Sequence, residues 1–222
     1  MKNVVRALVV ISAALVLVLV GGAVCKRFGP SVFMSAGPGI TAVTGPSGGD
    51  GIDKVDELAE ILRSRNDNDP RLDRDFNGLT PEAKRLFRKK YEEIPAEKRN
   101  QRGTVVYLLG KNLRSQDDWE FLRGVALEPP CLSLRDCAMK PAPDADAEDT
   151  GDDVTLAYPS LVALRQARLA LEEARTVRAS AQGAGEAMVE KEALSLFADA
   201  KNSKSRAVAR MAAALDKKFG PR

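Results

Sequence analysis

The sequence predicts an all-α protein: an N-terminal transmembrane or signal helix, then a flexible linker, then antiparallel helix pairs. Three observations lead to this fold class. Aromatic residues are only 5% of the chain and charged residues 29%, a composition that favours helices over a β-sandwich. Beyond residue 51, apolar side chains recur at the spacings of three and four that one face of a helix requires. A long apolar run stands at the N-terminus.

That run, residues 7–24, contains no charged side chain. About eighteen apolar residues reach the threshold for crossing a bilayer as a helix. Lys2 and Arg6 precede it, and this flank favours an N-terminus that stays in the cytoplasm. We therefore predict that residues 1–27 are a signal anchor, which places the rest of the chain outside the cytoplasm, in the periplasm or the extracellular space.

Two alternatives keep the same location for the domain. Small residues up to Ala23 would suit cleavage of a secretory signal after that residue, giving a secreted protein. Cys25 would suit a lipoprotein, but Val24 directly before it fits a bacterial lipobox poorly, because that motif normally resembles Leu-Ala-Gly-Cys.

After the anchor, residues 28–51 are rich in glycine, proline and serine and predict a flexible linker. Residues 52–222 are long enough to form one helical domain with its own core. Within it, residues 138–153 are acidic and nearly free of large apolar side chains, which predicts a loop.

Local signals place the helices of the domain. Thr80 and Pro81 have the character of an N-cap and a first helical residue. Ser115 and Asp118 have capping-box spacing, and Trp119 is predicted to be buried. The predicted helices are 52–65, one from Thr80 to before Pro95, 96–112, one from Ser115 to before Pro129, 159–182, 186–201 and 204–219.

Cys131 and Cys137 bracket a five-residue segment, CLSLRDC. In an exported chain, two cysteines in one short loop most simply form a disulfide, so this pair is our disulfide candidate. The spacing alone does not prove the geometry, and free thiols remain an alternative. Two thiolates would be an incomplete zinc site.

The chain has no histidine, which excludes Ser-His-Asp and Cys-His catalysis and every histidine-containing metal site. Residues 73–78 (DRDFNG) match the opening of an EF-hand calcium loop, but its twelfth position, which should be a bidentate glutamate, is Lys84. An ammonium group repels calcium. We therefore assign no catalytic residue, no metal and no cofactor, and expect the protein not to be an enzyme.

Four basic residues cluster in the second predicted helix: Arg85, Arg88, Lys89 and Lys90. They form a candidate basic surface for phosphates. The alternative is an exposed helical face on which Glu92 and Glu93, three to four residues along, pair with some of these cations.

Two stretches share a pattern of an arginine, then small or apolar residues, then a leucine: residues 102–110 (RGTVVYLLG) and 205–215 (SRAVARMAAAL). Each resembles the second helix of a HEAT-type repeat, and their arginines lie about three repeat units apart. The resemblance implies an α-solenoid of stacked antiparallel helix pairs whose exposed face binds another protein. The residues themselves also allow an irregular helical bundle.

These observations predict a membrane-tethered extracytoplasmic scaffold or adaptor that binds another protein of the cell envelope. The net charge of +3 is too small to indicate nucleic acid, and no small-molecule substrate is evident. One alternative is a salt-sensitive binding module for an anionic surface or polymer. A second is an enzyme whose carboxylates are brought together by the fold.

Overall fold

Within residues 49–141, 151–178 and 184–220, which the computed structural model describes, the chain forms helices and no strands, so the all-α prediction is confirmed. The helices are α1 (Gly49–Ser64), α2 (Arg71–Arg74), α3 (Pro81–Glu93), α4 (Arg99–Gly110), α5 (Gln116–Ala126), α6 (Asp153–Leu156), α7 (Tyr158–Arg178), α8 (Ala184–Ala200) and α9 (Arg206–Phe219).

The predicted anchor at 1–27, the linker up to residue 48 and residues 142–150 of the acidic loop lie outside the described residues. Among the helices that are described, none is both long and apolar enough to span a bilayer.

Local capping explains where several helices begin. Thr80 Oγ1 accepts a hydrogen bond from the Ala83 amide (3.2 Å), as its N-cap position requires. Ser115 Oγ accepts from the Asp118 amide (3.4 Å), and the Asp118 carboxylate accepts from the Ser115 amide (3.0 Å), so the predicted capping box is confirmed.

Some boundaries differ from those predicted. α1 begins at Gly49, inside the predicted linker, and ends at Ser64, after which Arg65 adopts a left-handed backbone (φ 54°). The single-turn helices α2 and α6 were not predicted, because one turn is too short to show an apolar period.

The core is one hydrophobic cluster to which every helix except α6 contributes a buried side chain. α7 packs against α4, α5, α8 and α9, and α3 joins α1 to α4. The largest fully buried side chains are Trp119, Phe76, Phe87, Phe197, Leu58 and Ile61. The predicted burial of Trp119 is thus confirmed.

Two glycines on one face of α4 allow α7 to approach closely. A Cβ atom at Gly103 would lie 2.4 Å from Cε1 of Tyr158, and one at Gly110 would lie 2.5 Å from Cβ of Gln166. Both distances are far below van der Waals contact. The α4–α7 contact therefore depends on the absence of side chains at these two positions.

Asn112 joins the end of α4 to the loop before α3. Its Oδ1 accepts hydrogen bonds from the amides of Gly78 (2.7 Å) and Leu79 (3.0 Å). Its Nδ2 donates to the carbonyls of Phe76 and Leu108, both at 2.8 Å. A carboxamide has two donor hydrogens and two acceptor lone pairs, so all the hydrogen-bonding capacity of this buried side chain is used.

A buried ion pair connects α3 to α5. Lys84 is 6% exposed and Asp118 3% exposed, and Lys84 Nζ lies 2.7 Å from Asp118 Oδ2. Lys84 Nζ also donates to the Asn112 carbonyl. The other carboxylate oxygen, Oδ1, is 2.5 Å from Arg88 Nη2. Lys84, Arg88, Asp118 and Asn112, which we call the buried polar cluster, thus join α3, α4 and α5.

The ionised form of Asp118 is favoured within this cluster. Burial by itself raises the pKa of this carboxyl group, but hydrogen bonds from Lys84 and from the amides of Arg114 and Ser115 outweigh it, so the pKa lies below its ordinary value. A lowered pKa means that the folded state prefers the carboxylate. The stabilisation is complete above the unfolded-state pKa and is lost as the pH falls through the folded-state pKa.

We predict opposite effects of alanine at two helical glycines. Gly110→Ala should lower the free energy of unfolding by about 1–3 kcal/mol, because its Cβ overlaps Gln166. Gly124→Ala, in exposed α5 backbone with nothing within 4 Å of the added Cβ, should raise it by about 0.5–1 kcal/mol through helix propensity alone. Urea unfolding followed by circular dichroism measures both. Equal effects of the two substitutions would contradict close α4–α7 packing.

We also predict that Asp118→Asn lowers the free energy of unfolding by about 3–5 kcal/mol at neutral pH, because it leaves Lys84 buried without its partner. In the double variant that also carries Lys84→Met, the free energy of unfolding should fall by less than the sum of the decreases caused by the two single substitutions. Arg85→Ala, which removes an exposed pair with Glu82, is the control and should leave the free energy of unfolding nearly unchanged, because solvent screens a surface pair.

The pH dependence gives a further check on the same variant. The difference in the free energy of unfolding between the wild-type and Asp118→Asn proteins should be constant above about pH 5. It should shrink as the pH falls below about 4, because Asp118 then takes up a proton in the unfolded wild-type chain before it does so in the folded one. A difference that grows on acidification would contradict the lowered pKa.

Candidate functional site

The four residues of the predicted basic surface are each engaged in an ion pair. The pairs are Arg85–Glu82 (2.6 Å), Arg88–Asp118 (2.5 Å), Lys89–Glu93 (3.9 Å) and Lys90–Glu93 (3.4 Å). Arg88 belongs to the buried polar cluster, whereas the other three pairs lie on the surface of α3. The pairing expected for Glu93 is therefore present, and the structure does not bring the four cations together as one free patch.

The sulfur atoms of Cys131 and Cys137 lie 1.94 Å apart, which is disulfide distance, so the predicted pairing is confirmed. The loop they close packs on the start of α4. Arg99 donates to the carbonyls of Ser133 (3.4 Å) and Leu134 (3.2 Å). The loop thus supplies acceptors to the first residue of α4.

The carboxylates of the EF-hand-like segment bind protein cations. Asp73 accepts from the Tyr107 hydroxyl and lies 3.5 Å from Lys111 Nζ, and Asp75 lies 2.6 Å from Arg74 Nε. Lys84, at the twelfth position, is buried with Asp118. In the described part of the chain, no three acidic or cysteine side chains are grouped so that they could hold a metal ion.

A cleft of about 440 Å³ lies between helix α2 with the segment before it, helix α4 and helix α7. Polar groups from all three line it: Asp67, Asp69, Asp73, Tyr107, Tyr158 and Arg165. Three aspartates therefore converge here, which the sequence did not predict. Two of them are already bonded, Asp69 to Arg71 (2.9 Å) and Asp73 to Tyr107.

The hydrogen bond between Tyr107 and Asp73 changes the acidity of both groups. Burial, and then the bond to the carboxylate, raise the pKa of Tyr107 to about 12. The same bond lowers the pKa of Asp73, and the bond from Arg71 lowers the pKa of Asp69. Both carboxyl groups are thus ionised at neutral pH, and neither is suited to act as a general acid there.

A second cavity, of about 420 Å³, lies between α6, α7 and α9 and adjoins the cleft. Tyr158, Val162 and Arg165 line both. The second cavity is otherwise mainly apolar, with Val154, Leu161, Ala207, Arg210 and Met211 completing its lining. We call the two adjoining cavities the α7 groove.

Apolar side chains are exposed along this groove. Val154 is 52% exposed and Leu169 is 40% exposed. The buried stripe of α7 contains Leu164, Ala167 and Leu171, which are fully buried and lie at spacings of three and four. Leu169 lies outside that spacing, and this was the available signal that it faces the cleft.

We predict that Asp73→Asn lowers the pKa of Tyr107 from about 12 towards 10 without reaching it, because burial remains. Tyrosinate absorbance during an alkaline titration measures the change, and Tyr107→Phe identifies the transition by removing it. An unchanged transition in Asp73→Asn would show that the hydrogen bond does not contribute.

Comparison with protein-family models, characterised proteins and solved structures finds no match to this chain. The HEAT-like resemblance of residues 102–110 and 205–215 therefore stays a prediction. The function must be argued from the groove and its chemistry.

Proposed function

We propose that the protein is a membrane-tethered, extracytoplasmic scaffold or adaptor, and that its α7 groove binds an apolar segment with acidic residues from another cell-envelope protein. The observation that carries this proposal is a set of exposed apolar side chains that line the same groove as two arginines, Arg165 and Arg210.

The apolar part of the argument rests on exposure. Val154, Tyr158 and Leu169 are among the exposed large apolar side chains of the described chain, and all three line the groove. Grouped exposure of this kind marks surfaces that bind a protein or another apolar ligand. Burying such side chains against a partner is the main source of favourable binding free energy.

Charge indicates the chemistry of the partner. Arg165 is exposed and forms no ion pair within the described residues. Arg210 forms only a long ion pair within the described residues, in which its Nη2 lies 4.0 Å from Asp153 Oδ2. The aspartates of the groove lie in the cleft, whereas the described lining of the second cavity has Arg165 and Arg210 and no acidic residue. Two guanidinium groups beside the apolar surface of that second cavity favour a segment that presents carboxylates next to its apolar residues.

The tether and the location are supported by the N-terminal sequence and by the disulfide. Residues 7–24 have the length and composition of a membrane-crossing helix. The cysteine pair at disulfide distance suits an oxidising compartment outside the cytoplasm. These two features are independent of each other and favour the same location.

We infer an irregular helical bundle rather than a regular HEAT-like array. In a solenoid each repeat contacts only its neighbours. Here α7 packs against α4 and α5 as well as α8 and α9, so a single helix joins the two halves of the domain.

The two other functions have less support. For an anionic surface or polymer, Arg85, Arg88, Lys89 and Lys90 would have to give up their present ion pairs. For a carboxylate enzyme, the aspartates in the cleft would need at least one raised pKa, whereas those of Asp69 and Asp73 are lowered.

We predict that in-cell crosslinking of the tagged full-length chain, followed by mass spectrometry, captures one recurrent envelope protein. Val154→Glu and Arg165→Glu should each reduce its recovery about tenfold, because they place negative charge where an acidic segment binds. Both side chains are exposed, so the fold should be retained, and an unchanged melting temperature checks this.

Ile52→Glu is the matched control. Ile52 is 58% exposed on α1 and does not line the groove, so this variant should recover the partner as the wild type does. Equal recovery with all three variants would exclude the groove as the binding surface. Recovery of lipid or polymer without a protein would exclude the scaffold function.

A further inference from the structure

We propose that a third cavity, between the end of α1 and the start of α4, is a binding site for an oxyanion: a carboxylate or phosphate group, free or carried on an apolar molecule. The cavity has a volume of about 450 Å³ and adjoins the cleft at Asp67 and Thr104. Arg65, Lys98 and Arg99 contribute three positive charges to its lining.

Arg99 provides the first argument. It is only 8% exposed, yet its guanidinium donates to two neutral carbonyls, those of Ser133 and Leu134, and forms no ion pair within the described residues. Its Nε is buried without any hydrogen-bond acceptor there. Burial also lowers the pKa of this group. A buried cation normally has an anionic partner, whereas the carboxylate that acts on Arg99, that of Glu97, forms no ion pair with it.

The start of α4 provides a second, independent argument. Lys98, the N-cap residue, makes no capping hydrogen bond with its side chain, and the first turn contains no acidic residue. The first three helical residues, Arg99, Asn100 and Gln101, all line the cavity. Their amides belong to the set that a helix leaves without internal partners, and together with the helix dipole they favour an anion.

The remaining lining is compatible with this ligand. Glu97 and Asp67 are also present, so the cavity has three cations against two carboxylates. Glu97 is already engaged, because its Oε1 accepts from the Cys137 amide (3.1 Å), a bond that lowers the pKa of Glu97. Ile61, Leu62 and Leu134 supply apolar surface on which a hydrocarbon portion of the ligand could pack.

The test uses the full-length chain in a maltoside detergent and two probes, inorganic phosphate and butyl phosphate. Calorimetric titration should show saturable binding, and the amide resonances of Asn100 and Gln101 should shift on addition of the probe. Lys98→Glu should weaken binding about tenfold or more, because it reverses one charge of the site. Lys98 is exposed, so this substitution should leave the fold intact.

Lys191→Glu is the matched control, since Lys191 is exposed on α8 and does not line the cavity. It changes the net charge equally and should leave the affinity within about twofold. Tighter binding of butyl phosphate than of phosphate would identify an apolar oxyanion, such as a lipid headgroup with its chain. Equal binding would identify a free anion.

Three results would overturn the proposal: no saturable binding of either probe, equal weakening by Lys98→Glu and Lys191→Glu, or binding without any shift of the Asn100 and Gln101 amides. The cavity shares Asp67 and Thr104 with the cleft, but Val154 and Arg165, the residues changed in the crosslinking test, do not line it. The protein-binding proposal can therefore fail while this one holds.

Discussion

The arrangement of the first half of the domain depends on one buried carboxylate, that of Asp118. It accepts hydrogen bonds from the amides at the start of α5 and from two cationic side chains of α3. Lys84 extends the contact to the end of α4 through the Asn112 carbonyl. Removing one charge would leave the others buried without compensation. The free-energy cost of that change is far larger than the net stabilisation that the intact ion pair provides. The polar cluster therefore specifies how α3, α4 and α5 meet, while the surrounding apolar side chains supply most of the burial.

The same constraint explains why residues 73–78 carry only part of a calcium-loop pattern. The position at which such a loop needs a glutamate is occupied by Lys84, and this lysine is needed in the core. The aspartates at the start of the segment are bonded to Tyr107, Lys111 and Arg74. The segment thus acts as a polar connection between α2, α3 and α4. Its glycine, Gly78, has φ 75° and forms the turn at which the Gly78 amide donates to the side chain of Asn112.

Features determined by neighbouring residues could be predicted from the sequence, whereas those determined by distant residues could not. The caps at Thr80 and Ser115 and the pairing of Cys131 with Cys137 involve residues close in the chain, and all three are present. Asp118 was recognised as a capping residue, but its pairing with Lys84 spans 34 residues and has no local signal. The groove is similarly non-local, because residues of α6, α7 and α9 meet only after the helices have packed.

Tyr158 has two roles that cannot be separated. Its ring lies against the bare backbone of Gly103, so it sets the distance between α4 and α7, and its outer edge forms a wall shared by both cavities of the groove. The position of this shared wall is thus fixed by the spacing of two core helices. A surface of this kind is preorganised: its partner binds without the entropic cost of ordering the wall, and selection for binding acts directly on the packing of the core.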